Sequence, residues 1–323
     1  MKRNIKLWGL AGAVSAAILL SACHPPPTAS SQTEQKREAP ILVKHQLGTT
    51  RIEYYPQRVA VLDMNEADFL DQLAVPIAGM PKDFIPHFLQ KYRDQHNVQD
   101  LGSIVQPNME RIYTLKPDLI LMTPLQADKY KELSEIAPTL HYDINFNNSQ
   151  QHHIEMIKAH LQTLGQIFNK QELAAEKVAE LDAKVAQVRT ITADRPEKAL
   201  VVLHNNGAFS HFGVQSRYGF VFNALGVKPA STVADTSLHG QPISSEFIQQ
   251  ADPDILFIVD RTAVMEHRTS INADNVSNPL LRQTKAWKTG KVIFVDADAW
   301  YTTAASPTAM HILIDDVIKG YQP

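Results

Sequence analysis

Residues 236–261 read TSLHGQPISSEFIQQADPDILFIVDR. A short helix pattern covers roughly Ser244 to Gln250. Pro253-Asp254 then leads into a fully apolar run, Ile255 to Val259, closed by Asp260 and Arg261. A short apolar run between turn residues reads as a buried parallel strand. Arg261 therefore sits at the carboxyl end of a strand, where open α/β sheets bind ligands. His239, beside Gly240 at the start of the stretch, is the second candidate site residue.

The same pattern occurs earlier in the chain. Glu110-x-Ile112-x4-Pro117-Asp118-Leu-Ile-Leu matches Glu246-x-Ile248-x4-Pro253-Asp254-Ile-Leu-Phe at every marked position. Proline cannot continue a helix, and aspartate favours the turn that follows. The repeat predicts two related halves, each with a helix, a Pro-Asp turn and a buried strand.

Working outward, Ile41–Val43 and Arg51–Tyr54 read as a hairpin with Gly48 near its turn. Arg58–Leu62, Val75–Met80, Leu119–Met122 and Thr139–Tyr142 read as strands. Asn65–Leu73, Asn108–Leu115 and Lys129–Glu135 read as helices between them. Such alternation predicts a parallel sheet with helices on its faces. His152 to about Thr192 is almost wholly helical, with a break near Gly165 and Asn169-Lys170. The second half repeats the alternation, with strands at Ala199–Leu203 and Val292–Val295. Its helices are Tyr218–Leu225 and the closing Ala309–Ile318. The expected organisation is an α/β lobe over 41–150, a connecting helix over 151–195 and a second α/β lobe over 196–323.

The N-terminus states a destination. Met1–Lys6 is basic and Leu7–Leu20 is apolar, but that run is too short to span a bilayer comfortably and reads as a signal peptide over 1–22. Leu20-Ser21-Ala22-Cys23 resembles the lipobox of bacterial lipoproteins, which makes Cys23 the expected lipidated residue and the membrane a partner through that anchor. Residues 23–40, rich in Pro, Ser, Thr and Gln, read as a flexible tether. The chain of 323 residues is 44% hydrophobic and 20% charged, a globular composition. Its net charge is −3, and removing Lys2, Arg3 and Lys6 takes this to about −6. No basic excess points to nucleic acid. A single cysteine excludes an intrachain disulfide.

Several motifs together resemble one family. They include Arg58-Val-Ala-Val-Leu62, Lys116-Pro-Asp-Leu-Ile120, Gln215-Ser-Arg-Tyr-Gly219, Val259-Asp-Arg261 and Asp298-Ala-Trp-Tyr301. Behind a lipobox, they resemble the helical-backbone class of bacterial solute-binding proteins that deliver siderophores, haem or cobalamin to ABC importers. The second-half motifs are most similar to the subgroup binding ferric catecholate siderophores. The resemblance implies a monomer on the periplasmic side of a membrane, with no intrinsic cofactor and a ferric siderophore as ligand. It implies that Arg217 and Arg261 offset the charge of the complex. It also implies that His239 and Tyr301 fill iron positions that the siderophore leaves open, ligand types that suit ferric iron. The subgroup's first-lobe arginine is replaced here by Leu125, with Lys82 or Lys129 as possible substitutes.

In this family, acidic residues on the lobe tops dock onto the importer's membrane subunits, and Glu66 and Asp68 fall at the corresponding helix start. Their charge also suits a helix N-terminus. His152, His153 and His160 read as a solvated helix face rather than a zinc site, and His204 as a neighbour of the pocket. No phosphate loop, nucleophile elbow or His-Glu-x-x-His pattern supports an enzyme. The alternatives are a haem, cobalamin or divalent-metal carrier of the same class, or a metal-dependent hydrolase.

Overall fold

The Pro-Asp repeat is realised as one structural unit built twice. The computed structural model describes residues 35–150, 152–233 and 237–322. In the first half the hairpin strands β1 (Lys36–His45) and β2 (Gly48–Tyr54) precede β3 (Val59–Val61) and helix α1 (Met64–Gln72). Strands β4 (Gly79–Met80) and β5 (Gln99–Asp100) lead to α2 (Met109–Leu115), β6 (Leu119–Met122), α3 (Tyr130–Ile136) and β7 (Thr139–His141). The five strands from β3 to β7 form an all-parallel sheet in the order β5-β4-β3-β6-β7.

After α4 (His153–Ile167) and α5 (Gln171–Thr192), the second half holds β8 (Lys198–Asn205), β9 (Ala208–Phe212), α6 (Gly219–Asn223), β10 (Lys228–Pro229) and β11 (Gln241–Ile243). Then come α7 (Ser245–Ala251), β12 (Ile255–Asp260), α8 (Arg261–Glu266), α9 (Ala273–Val276), α10 (Lys285–Lys288), β13 (Val292–Phe294) and α11 (Pro307–Gly320).

In each half the repeated aspartate clamps two neighbouring strands. The Asp118 carboxylate accepts from the Arg58 amide, and the Asp118 amide donates to the Arg58 carbonyl. Asp254 makes the same exchange with Lys198. The preceding helices each end on a left-handed residue, Lys116 or Asp252, and bury Ile112 or Ile248 completely.

Three expectations need correction. The second sheet is mixed, because β9 runs antiparallel to both β8 and β11. The missed signal is Asn206-Gly207, both at positive φ, the pair that a two-residue hairpin turn requires. The connecting segment is a helix pair rather than one helix. Lys158 on α4 meets Asp182 on α5 at 2.6 Å, so the two pack antiparallel. At their turn Gly165 lies so close to α5 that a Cβ would come within 2.6 Å of the Ala174 Cβ. Finally, the tether over 23–40 runs too far, since β1 already begins at Lys36. Its pairing register shifts between Lys36 and Ile41, where Pro40 has no amide to offer.

Both helices of the pair run between the halves. At the start of α4, His153 stacks on Phe220 with centroids 4.5 Å apart and bonds the Ala304 carbonyl at 2.9 Å. Further along, His160 bonds Glu66 at 2.9 Å and stacks on Tyr142. At the end of α5, Thr192 bonds the Leu225 carbonyl. His153 and His160 are thus packing residues in the interior, not the solvated face expected for them.

The docking assignment of Glu66 and Asp68 is also overturned. Both side chains are 0% exposed. Glu66 is held by His160, and Asp68 accepts the Thr308 amide at 2.8 Å, joining α1 to α11 across the floor between the halves. Asn65 extends the same seam to the Ala305 amide. Neither carboxylate can reach a partner's surface.

Replacing Glu66 with alanine strips buried His160 of its hydrogen-bond partner, so urea denaturation is expected to show a loss of about 2 kcal/mol. A variant as stable as the parent but defective in import would restore the docking role. Asp63, which caps α1 through the Asn65 amide at 2.7 Å, supplies a second test. Burial raises its pKa from 3.8 to about 7. The folded state then holds the proton more tightly than the unfolded one. That contribution is full below about 3.8 and is lost as pH rises through about 7. Asp63→Asn keeps the cap, so its urea midpoints are expected to gain on the parent's steadily between pH 4 and 7. Parallel profiles would show that the carboxyl does not titrate abnormally.

Candidate functional site

The strands aim their carboxyl ends at one cavity of about 320 Å³ lined by both halves. Every strand of the first sheet contributes from the loop that follows it. Asp63 follows β3, Asp83 and Phe84 follow β4, and Ser103 to Val105 follow β5. Leu125 follows β6 and Phe146 follows β7. All four ligand-binding residues expected from the sequence, Arg217, His239, Arg261 and Tyr301, line the opposite wall.

Arg261 is placed by the junction of β12 and α8. Asp260 caps that helix by accepting the Ala263 amide at 3.3 Å, and it also accepts the Ile271 amide at 2.9 Å. Occupied this way, it leaves Arg261 free to turn inward. The Arg261 Nε donates to the Tyr301 hydroxyl at 2.7 Å and its Nη1 to the Asn205 side chain at 3.2 Å.

Arg217 is 9% exposed. Its loop is fastened by the Ser149 hydroxyl, which donates to the Arg217 carbonyl at 2.8 Å. Its Nη2 donates to the Tyr301 carbonyl at 3.0 Å, and its guanidinium lies over the Tyr218 and Tyr301 rings at 5.1 and 5.5 Å.

Tyr301 sits in a single π-helical turn, Asp298–Thr302. Its neighbour Trp300 is fully buried, donates its indole N–H to Asp316 at 3.0 Å and accepts the Tyr218 hydroxyl on its carbonyl. This anchor fixes the turn and leaves Tyr301 facing the cavity.

His239 sits in a tight turn with Gly240 at φ 74°. A side chain at Gly240 would strike the His211 carbonyl at 2.7 Å, so the turn requires glycine. Burial lowers the His239 pKa below its ordinary value, and the nearby Arg217 and Arg261 charges lower it further. Both effects favour the neutral imidazole, whose lone pair suits a metal ion.

The charge is one-sided. The second half supplies two guanidiniums, whereas the described first-half lining carries no cation. Lys82 is spent on the Tyr92 carbonyl, and Lys129 lies beside Asp128 and Glu132 at 3.9 and 3.7 Å. Neither lines the cavity, so neither replaces the arginine whose place Leu125 takes. His204 is likewise outside the lining; its Nε2 accepts the Gly207 amide, and its Nδ1 is 3.7 Å from Asp260. Asp63, Asp83 and Asn205 were not anticipated. The rule that identified Arg261, a polar residue just beyond a strand's carboxyl end, applies equally to the two aspartates. Burial raises the pKa of both. Cys23 lies outside the described residues.

The chain matches the model of the periplasmic binding protein family over residues 59–299. It is 66% identical over 308 residues to the ferric-anguibactin-binding protein FatB of Vibrio anguillarum, covering 95% of each chain. It is 34% identical over 315 residues to the petrobactin-binding protein YclQ of Bacillus subtilis, covering 96% of this chain and 97% of the relative. Among solved structures, the siderophore-binding protein BauB, bound to a complex between two molecules of acinetobactin and ferric iron, aligns with a TM-score of 0.85 at 73% identity. That match covers 88% of this chain and 99% of BauB. With the twofold α/β architecture and a shared cavity at the strand ends, these matches make the chain a member of the periplasmic binding protein family.

Proposed function

We propose that this protein captures a ferric siderophore of the catecholate kind between its two halves and presents it to an ABC importer, without chemical turnover. The observation that carries this reading is the meeting of Arg217, Arg261, His239 and Tyr301 on one wall of one cavity. A ferric catecholate complex is an anion, and burying it without countercharge is prohibitive. The two guanidiniums supply that charge, and their planes suit both oxygen forks and flat catechol rings. Tyr301 and the neutral His239 offer an oxygen and a nitrogen to iron wherever the siderophore leaves positions open. The named ligands of FatB, YclQ and BauB support the ligand class.

The helix pair and the buried seam from α1 to α11 tie the halves together, which favours a small closing motion over a wide hinge. We assign Cys23 as the lipid-bearing residue that holds the protein on the periplasmic side of a bacterial membrane.

Titration of the purified protein with ferric bis-catecholate, ferric tris-catecholate, haem and cobalamin, followed by tryptophan fluorescence, tests the ligand class. Trp300, with its ring 5.2 Å from that of Tyr218, reports from behind the cavity wall. Arg217→Ala and Arg261→Ala are each expected to weaken ferric catecholate binding at least tenfold, about 1.4 kcal/mol. Preference for haem or cobalamin would reject the reading. Tyr301→Phe and His239→Ala are expected to reduce bis-catecholate affinity more than tris-catecholate affinity, and Tyr301→Phe to remove a phenolate-to-iron absorption band. Equal effects on both complexes would mean that the protein donates no ligand to iron. Cys23→Ser is expected to move the protein from the membrane fraction to the soluble periplasm; continued membrane association would show another anchor.

A further inference from the structure

A second cluster of metal-ligating side chains lies outside the cavity, where the N-terminal hairpin meets the edge of the first sheet. His45 ends β1, His141 ends β7, and Asp143 follows two residues later. One potential ligand atom from each of the three lies within 4.8 Å of the others.

The hydrogen bonds around these rings fix which nitrogen carries the proton. The Thr50 hydroxyl donates its only proton to the Thr139 carbonyl. It must therefore accept from His45 Nε2, 2.8 Å away, which leaves His45 Nδ1 with a bare lone pair. Asp143 Oδ1 lies 2.6 Å from His141 Nδ1, and an ionised carboxylate can only accept. His141 Nε2 is then the bare nitrogen. Both bare nitrogens are buried, and neither has a hydrogen-bond partner among the described residues. His141 as a whole is 4% exposed. Buried polar atoms left unpaired are unfavourable, and two in one cluster call for an occupant.

The surroundings are those of a metal site. Metal-bound histidines characteristically give their second nitrogen to a carboxylate, carbonyl or hydroxyl that holds the ring in place. Here Asp143 does this for His141 and Thr50 does it for His45. Asp143 is itself held, since both its oxygens lie 3.0 Å from the Gln46 amide. The rings have centroids 6.0 Å apart and are inclined at 45°. Two ligands on one Zn2+ ion at about 2.0–2.1 Å stand roughly 3.4 Å apart, on the scale of the 4.8 Å within which ligand atoms of the three side chains lie. His45 and Asp143 are only half-buried, so an ion and its remaining waters can enter from solvent.

We propose that His45 Nδ1 and His141 Nε2 bind a divalent zinc-like ion, with Asp143 orienting His141 and offsetting part of the charge. Water completes the coordination. The ion bridges the N-terminal hairpin to the first sheet, and the proposal is independent of what the cavity takes.

The test titrates the full-length protein with Zn2+ alone by calorimetry, and with Co2+ by absorption. One Zn2+ per chain is expected. His45→Gln and His141→Gln should each weaken binding at least tenfold, whereas His96→Gln, an exposed control, should leave it unchanged. Circular dichroism of the metal-free variants checks that each is folded. Co2+ bound to the native protein should show visible bands displaced by one equivalent of Zn2+, a result that needs no variant. Zn2+ binding that survives both substitutions, or a Co2+ spectrum identical to that of the hydrated ion, overturns the proposal.

Discussion

Two guanidinium groups are held against a single phenol ring, and one wall of the cavity depends on how that is achieved. Arg217 and Arg261 lie 5.5 and 5.6 Å from the centre of the Tyr301 ring. Like charges so placed repel each other, yet Tyr301 accepts a hydrogen bond from each, one on its carbonyl and one on its hydroxyl. The ring face adds a modest cation–π attraction. Tyr301 is itself fixed from behind by Trp300, so the chain of support runs from Asp316 through the indole to the cavity. This wall concentrates positive charge opposite mostly apolar side chains. Burial raises the pKa of its two opposing carboxyls, Asp63 and Asp83. An anion placed between the walls relieves the repulsion and needs no side chain to be built around it.

Much of this was legible in the sequence because it depends on local rules. Proline ends a helix and aspartate caps a strand turn wherever they occur, so the Pro-Asp repeat revealed the twofold plan and the place of Arg261. The motif context located Arg217, His239 and Tyr301. What escaped were properties created by distant partners. A carboxylate at the start of a helix looks the same whether it faces water or another half of the molecule, and Glu66 and Asp68 face the latter. His153 and His160 share a helix face that proves to be covered by Phe220, Tyr142 and Phe69. The His45 and His141 pair cannot be found by spacing, because β7 and the hairpin meet only in three dimensions. The turn at Asn206-Gly207 is the exception, because an Asn-Gly pair is a local hairpin signal.

The hairpin that opens the described structure has a mechanical meaning. Arg37, on β1, donates to the Ile167 carbonyl at the end of α4 and stacks over Tyr55 at 4.0 Å. At the far end of the same hairpin, Thr50 is bonded to the Thr139 carbonyl at the edge of the first sheet. Any tension carried along β1 therefore enters a strap stitched at both ends. Antiparallel bonds lie across the strands. A pull along β1 loads several of them in shear at once instead of unzipping them singly. Arg37 and Thr50 would pass such a force to the helix pair and to the outer edge of the sheet.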